Sequence, residues 1–185
     1  LSAMLRRVRP SGVVIHFEGE KGAERMVRMV DLMGFVIQYV IHFEGERGTE
    51  RKVRAVDPSG VVIHYEGEQG AERKVRAVDN PSGVAIHYEG EQGAERTVRA
   101  VQPSGVVMHY EGEKGAERVV RMVHSSGVMM HYEGEPGAER AVHAVDPSGA
   151  VTHYEGEQGA ERKVRMVHPS GVVIQYEGEQ GERVL

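Results

Sequence analysis

The stretch VRAVDPSGVVIHYEGEQGAERKVRAVD, Val53 to Asp79, ends by repeating its own opening words. Self-similarity at a fixed spacing marks a repeat array and has to be settled before anything else is read. The tripeptide Glu-Gly-Glu serves as the marker: it starts at Glu18, Glu44, Glu66, Glu89, Glu111, Glu133, Glu155 and Glu177, mostly 22 residues apart. Residues 1–185 therefore read as a single array of about eight units, with an irregular insertion around 31–43 and a truncated last unit over 168–185. Each unit holds two short runs of alternating apolar and polar residues, VVIHYEGE and ERKVRAV. Val, Ile and Tyr favour strands, and neither run is long enough for a capped helix.

The joints set the pairing. Asp57-Pro58-Ser59-Gly60 suits a type I turn with Pro at its second position, followed by a glycine in the left-handed conformation. Pro58 fixes φ and Gly60 accepts a positive one. This hairpin predicts Val56 opposite Val62, Ala55 opposite Ile63, Arg54 opposite His64, Val53 opposite Tyr65 and Lys52 opposite Glu66. A three-residue loop through Gln69, Gly70 and Ala71 at the other joint predicts Tyr65 opposite Val75, His64 opposite Arg76 and Glu66 opposite Lys74. One face then carries Val53, Ala55, Val61, Ile63, Tyr65, Val75 and Ala77. The other carries Lys52, Arg54, His64, Glu66, Lys74 and Arg76, with Val56 and Val62 near the turn.

Two irregularities bear on this alternation. Between the first two markers lie four extra residues, within FVIQYVIHF (Phe35 to Phe43). An even insertion keeps Phe35, Ile37, Tyr39, Ile41 and Phe43 on one face. The single extra residue near Asn80 falls in a turn, where a longer loop absorbs it. The expected fold is all-β: tandem 22-residue β-hairpin repeats forming an extended, twisted antiparallel meander sheet. The alternative is a parallel β-solenoid, which stacks identical residues roughly 4.8 Å apart and so opposes Glu18, Glu44 and Glu66, or Arg28, Arg54 and Arg76, as like charges.

Composition narrows the function classes. Aromatic residues make up 5% of the 185, with no Trp and three Phe, which is poor material for a thick globular core. No cysteine is present, so disulfides, thiolate metal sites and thiol nucleophiles are excluded. The formal net charge of -5 argues against a dedicated nucleic-acid binder. The start, LSAMLRRVRP, lacks the apolar region of a signal peptide and no stretch approaches a helical membrane span, so an intracellular location is the expectation.

The cores Tyr65-Glu66-Gly67-Glu68, Tyr88-Glu89-Gly90-Glu91 and Tyr110-Glu111-Gly112-Glu113, with their equivalents, resemble the MORN family, whose repeats of similar length carry a Tyr-Glu-Gly-Glu core. The likeness recurs in every unit and covers most of the chain. This chain has Gln69 or Lys114 where an aromatic residue usually follows that core, and RKVRAV in place of a later Gly-x-Gly. The units also resemble EGEKGAER-type tandem repeats. The MORN resemblance implies single-layer sheets of hairpins, scaffolding, dimerisation and affinity for anionic phospholipids.

Two surfaces are candidates for function. The polar face carries a stripe in which arginine and histidine alternate: Arg28, Arg54, His64, Arg76, His87, Arg99, His109, Arg121, His131 and Arg165. Arginine suits forked contacts with oxyanions, so the stripe is a candidate for anionic lipid or for the carboxylates of a protein partner. A metal is not expected there. His64 lies between Arg54 and Arg76, and histidines at the same place in successive units stand roughly 10 Å apart, too far to share an ion at bonds near 2 Å. The apolar face, represented by Val53, Ile63, Tyr65, Val75, Tyr88, Tyr110, Tyr132 and Tyr154, is the candidate self-association surface, giving a homo-oligomer, either a dimer or a fibre. Glu66, Glu68 and Glu72 recur in every unit without a desolvating pocket to separate their roles, and Ser59 sits in a turn. No catalytic residue, cofactor or metal is expected. The reading is a structural or scaffold repeat protein, with an anion-binding module as the alternative.

Overall fold

The structure, a computed structural model, describes residues 3–20, 23–33 and 36–176. Phe35 and the last stretch, 177–185 with Glu177, lie outside the described residues. The chain divides into two compact units, the first ending at Glu95 and the second beginning at Arg96. In the first, the strands are β1 Ala3–Val8, β2 Val14–Gly19, β3 Arg25–Met33, β4 Val36–Glu44, β5 Arg51–Val56, β6 Val61–Glu66, β7 Arg73–Asp79 and β8 Ala85–Glu89. In the second they are β9 Arg96–Val101, β10 Val107–Glu111, β11 Arg118–Val123, β12 Met129–Glu133, β13 Arg140–Val145, β14 Val151–Glu155, β15 Arg162–Val167 and β16 Val173–Gln175. These sixteen strands are the regular structure of the described residues, which contain no helix. Strand order follows chain order and neighbours are antiparallel, so the fold is a meander and the parallel solenoid is excluded.

The Asp-Pro-Ser-Gly hairpins form as expected. Asp57 Oδ1 accepts from the Ser59 N–H at 2.9 Å, the Ser59 hydroxyl at 2.6 Å and the Val61 N–H at 3.0 Å. The Gly60 N–H closes the turn on Asp57 O at 3.1 Å, with φ of 91° at Gly60. The resulting register pairs Arg54 with His64, Ala55 with Ile63 and Val56 with Val62. The extra residue at Asn80 is absorbed in the turn. Its side-chain amide donates to Gly60 O at 3.0 Å, while the Val78–Ala85 and Arg76–His87 pairs keep the common register. In the irregular unit the equivalent residues are Asp31-Leu32-Met33-Gly34. Lacking Pro to fix φ and Ser to close on the aspartate, β3 runs on through Met33 and β4 starts at Val36. A bulge between Asp31 and Leu32 accompanies this, Ile41 and His42 resume the common register, and Tyr39 is left exposed.

The second joint differs from expectation. Its loop is six residues long, Gly67 to Glu72, built on a turn in which the Ala71 N–H donates to Glu68 O at 3.0 Å. His64 pairs with Arg76 as expected, but a β-bulge follows, so Tyr65 faces Lys74 rather than Val75, and Glu66 faces Arg73 rather than Lys74. A bulge sets two residues against one and tightens the local bend. It recurs at His16/Phe17, His42/Phe43, His109/Tyr110, His131/Tyr132 and His153/Tyr154. Its consequence for the faces is a correction to Lys52 and Lys74. Their ammonium groups lie over the rings of Tyr65 and Tyr88, each 3.6 Å from the centroid, on the tyrosine side and not beside the glutamates.

The bulge also determines how successive units are joined. The paired positions of β5 and β6 stop at Arg54–His64, so Lys52 does not reach Glu66 as a partner. The Lys52 N–H is taken instead by Glu72 Oε1, at 3.0 Å, from the loop after the next strand. Glu72 Oε2 accepts from Gly70 in its own loop, also at 3.0 Å. Glu50, Glu95, Glu117, Glu139 and Glu161 make the same reach to the N–H groups of Met26, Lys74, Thr97, Val119 and Ala141. In parallel, Arg51 Nη1 donates to Gly67 O at 3.1 Å, and Arg25, Arg73, Arg96 and Arg118 repeat it one loop along.

The buried residues are mostly small: Ala55, Ala77, Ala100 and Ala144 line one face with Ile15, while Val14, Val62 and Ala85 sit near the turns on the other. Gly67 is one of the loop glycines at which substitution should be costly. Its φ is 116°, and a Cβ there would lie 2.6 Å from Ala71 O. Gly60 also has a positive φ, but a Cβ would meet nothing closer than Pro81 Cδ at 3.9 Å. Gly67→Ala is therefore expected to cost about 1–3 kcal/mol or more, from strain plus the clash. Gly60→Asn is expected to cost about 1 kcal/mol or less, because Asn tolerates the left-handed region. Equal midpoints for the two variants in urea unfolding would contradict this account of the loop.

Candidate functional site

The stripe is assembled by register alone. Because His64 pairs with both Arg54 and Arg76, each neighbouring strand contributes one residue to a line running across the sheet. In the first unit the line is Arg6, His16, Arg28, His42, Arg54, His64, Arg76 and His87, on β1 to β8 in order. In the second it is Arg99, His109, Arg121, His131, His143, His153, Arg165 and Gln175, on β9 to β16. All ten residues read from the sequence as the candidate stripe fall on these two lines. Arg6 and His143 were not read from the sequence. Arg6 belongs to the unit preceding the first marker, and His143 stands in RAVHAV where other units carry arginine.

Within the line, histidine accepts and arginine donates. Arg54 Nη1 lies 3.3 Å from His42 Nε2, and Arg121 Nη2 lies 3.0 Å from His109 Nε2. An imidazole nitrogen that accepts from guanidinium carries no proton, so these histidines are neutral with the proton on Nδ1. Electrostatics agree. Burial, then the flanking arginines, lowers the pKa of His42, His64 and His109 below the ordinary histidine value. For His131 the causes are burial, then His143, then Arg121. A shallow groove in the second unit is lined by His109, Arg121 and His131 together with Val98, Tyr110, Glu111 and Val120.

The adjoining glutamates are occupied elsewhere. Glu44, Glu66, Glu111 and Glu133 face Arg51, Arg73, Arg118 and Arg140 at 3.6 to 3.9 Å. The Glu72 series is held by backbone N–H groups. The Met26 N–H, followed by its own, keeps Glu50 below the usual carboxylate range, and Thr97 does the same for Glu117. Among the described residues, Arg28, Arg54, Arg76, Arg99, Arg121 and Arg165 have no carboxylate within 4.0 Å. The Nε of Arg28 is buried without any hydrogen-bond partner. The line thus presents guanidinium groups without carboxylate partners, two of which, those of Arg54 and Arg121, are held by neutral histidines.

The apolar candidates are arranged differently. Val53, Ile63, Tyr65, Val75, Tyr88, Tyr110, Tyr132 and Tyr154 are all half-buried. The Tyr110 and Tyr132 hydroxyls lie 3.7 and 3.8 Å from Met108 and Met130 sulfur, so these rings lie along their own strands. Among the described residues, the exposed large hydrophobics are Leu5, Val8, Tyr39, Val172 and Val173, none of them among the eight just named. No family model matches the chain, and a search of curated proteins finds no match.

The histidine line predicts acid lability. A histidine whose folded pKa is depressed lets the unfolded chain take up protons first, so stability falls as pH drops through the ordinary histidine value near 6.5. The depressed glutamates act in the same sense at lower pH: their contribution is present above the ordinary carboxylate value and lost as pH falls through the folded one. The melting temperature should therefore decline from pH 7.5 to 5.5. Replacing His42, His64 and His109 by Gln, the residue that β16 carries on this line, should flatten that decline. A melting temperature that holds steady or rises on acidification would refute the assignment.

Proposed function

We propose that the chain is a non-catalytic, MORN-like repeat scaffold that holds an anionic partner along its arginine and histidine line. One observation carries the reading: the line's arginines have no carboxylate partners, although glutamates run beside them. Guanidinium groups on alternate strands stand roughly 10 Å apart, a spacing that suits successive oxyanions on an extended phosphate-rich surface or chain. The neutral histidines between them orient the donors without competing for the ligand. The MORN resemblance agrees with both the scaffold role and the anionic partner. Self-association through the apolar face is the weaker-supported part of the proposal, because its residues are already half-covered by their own chain.

The test uses vesicles of phosphatidylcholine with and without phosphatidylserine, and a linear polyphosphate as a second arm. Binding to at least one anionic probe is expected, weakening steeply as salt rises from 50 to 200 mM. The variant with Arg54, Arg76, Arg99 and Arg121 changed to Gln should bind at least ~100-fold less tightly, since each arginine near an anionic surface contributes about 1 kcal/mol. Preference for vesicles over polyphosphate identifies a membrane surface, and the reverse identifies a chain. Absent, salt-insensitive or variant-insensitive binding to both probes would end the proposal.

A further inference from the structure

The alternation of arginine and histidine fails at one strand. β13 places His143 where β5, β7, β9, β11 and β15 place Arg54, Arg76, Arg99, Arg121 and Arg165. The register sets His143 directly opposite His131 on β12 and His153 on β14, so three imidazoles occupy successive cross-strand positions. The rings of His131 and His143 stack with centroids 4.2 Å apart and planes at 15°. Those of His143 and His153 are 6.2 Å apart and tilted by 43°.

Two arguments count against a metal elsewhere on the line: each histidine has a guanidinium on its flanks, and the next histidine is roughly 10 Å away. Neither applies to His143, which has an imidazole one strand away on each side; His131 and His153 are themselves two strands apart and meet an ion only over this central ring. Both its neighbours are imidazoles, and directly opposed side chains start from Cβ atoms about 5 Å apart. The geometry points to a binding site for one divalent transition-metal ion of the zinc and copper class, held by His143 together with His131 and His153. Imidazole nitrogen reaches such ions at about 2.0–2.1 Å, so two ligand nitrogens must approach to within roughly 3–3.5 Å of each other. As the rings stand they stack rather than converge, and no three such side chains among the described residues form a ready ligand set. All three residues are half-buried, and the site requires their rings to turn about χ1 and χ2 until the nitrogens converge.

The charges around the three rings are defined. Arg121 pairs with His131 and Arg165 with His153, so the cationic flanks stand at the outer two ligands and not at the central one. Glu133, next along β12, is engaged with Arg140 at 3.9 Å. Burial and the neighbouring His143 and Arg121 favour the neutral form of His131, which is the form that ligates. A bound ion would tie β12, β13 and β14 together at mid-strand, and only in this unit, because the other lines of the array interpose arginine.

Titration calorimetry with zinc chloride on the full chain tests the site, with His143→Arg, which restores the residue other units carry, as the principal variant. One zinc ion per chain is expected at pH 7.5. Affinity should be at least ~10-fold lower in His143→Arg and at pH 5.5, where protons compete for the imidazoles. With copper(II) in place of zinc, nitrogen hyperfine structure in the electron paramagnetic resonance spectrum should be present for the parent and lost in the variant. Should circular dichroism show that His143→Arg does not fold, His143→Gln decides, since Gln175 already occupies this line in β16. No binding by the parent, or equal binding by parent and folded variant, would overturn the site; the latter would place the ion at other histidines, such as His124 and His168 in the turns.

Discussion

The array depends on a carboxylate that reaches two strands back. Among the described residues, the loops ending in Glu50, Glu72, Glu95, Glu117 and Glu161 each use one carboxylate oxygen to hold the loop's own glycine N–H and the other to cap a backbone N–H beside the bulge in the preceding unit. A backbone donor left without a partner away from water costs about 1–3 kcal/mol, so the bulge and the capping glutamate are only stable together. The bulge in turn turns the tyrosine toward the lysine of its neighbour, and the arginine beside the glutamate ties the same loop to the next glycine carbonyl. These contacts each join adjacent units. Stability in such an array is close to a sum over units and their nearest-neighbour contacts, which is how a chain with so few large buried side chains holds its strands in order.

The hairpins at Asp-Pro-Ser-Gly were legible because their chemistry is local. Pro58 and Gly60 restrict φ, the Asp57 carboxylate closes on Ser59, and the register of Ala55 with Ile63 follows without reference to any other unit. The second joint was not legible for the opposite reason. Gln69, Gly70 and Ala71 read as a short loop, but the span from Gly67 to Glu72 is fixed by a contact to a different hairpin. The N–H that Glu72 caps belongs to Lys52, and in other units to Thr97, Val119 or Ala141. A bond to the backbone is indifferent to the side chain above it, so nothing in the identity of those residues announces it. Reading Glu72 as a spare acid on a solvated face was the natural outcome.

The arginine and histidine line was legible up to the bulge because it lies on the well-determined side of His64. One residue further, at Tyr65, the expected register fails and with it the expected place of Lys52 and Lys74. That boundary has a functional meaning. Residues before the bulge hold a strict cross-strand register and can present a straight row, while those beyond it serve to join units. The four-residue insertion obeys the same division. It lengthens β3 and β4 at the turn end, where the bulge between Asp31 and Leu32 lies, and His42 keeps its place in the row opposite Arg28 and Arg54.

Alternation itself has a physical rationale. A row made only of arginine would oppose like charges on every neighbouring pair of strands, at a cost that grows with the length of the array. Interposing an imidazole doubles the distance between guanidinium groups and, at Arg54 and Arg121, supplies an acceptor from His42 and His109. Neutral histidine can do this only while its pKa stays below the ambient pH, and burial, then the flanking arginines, lowers it at His42, His64 and His109. Charge and acceptor therefore stabilise one another along the row. At His143 the donor is missing from this arrangement, and the rings there stack on each other instead. The same substitution that interrupts the cationic row thus leaves three imidazoles side by side, an arrangement that strict repetition of the unit would have excluded.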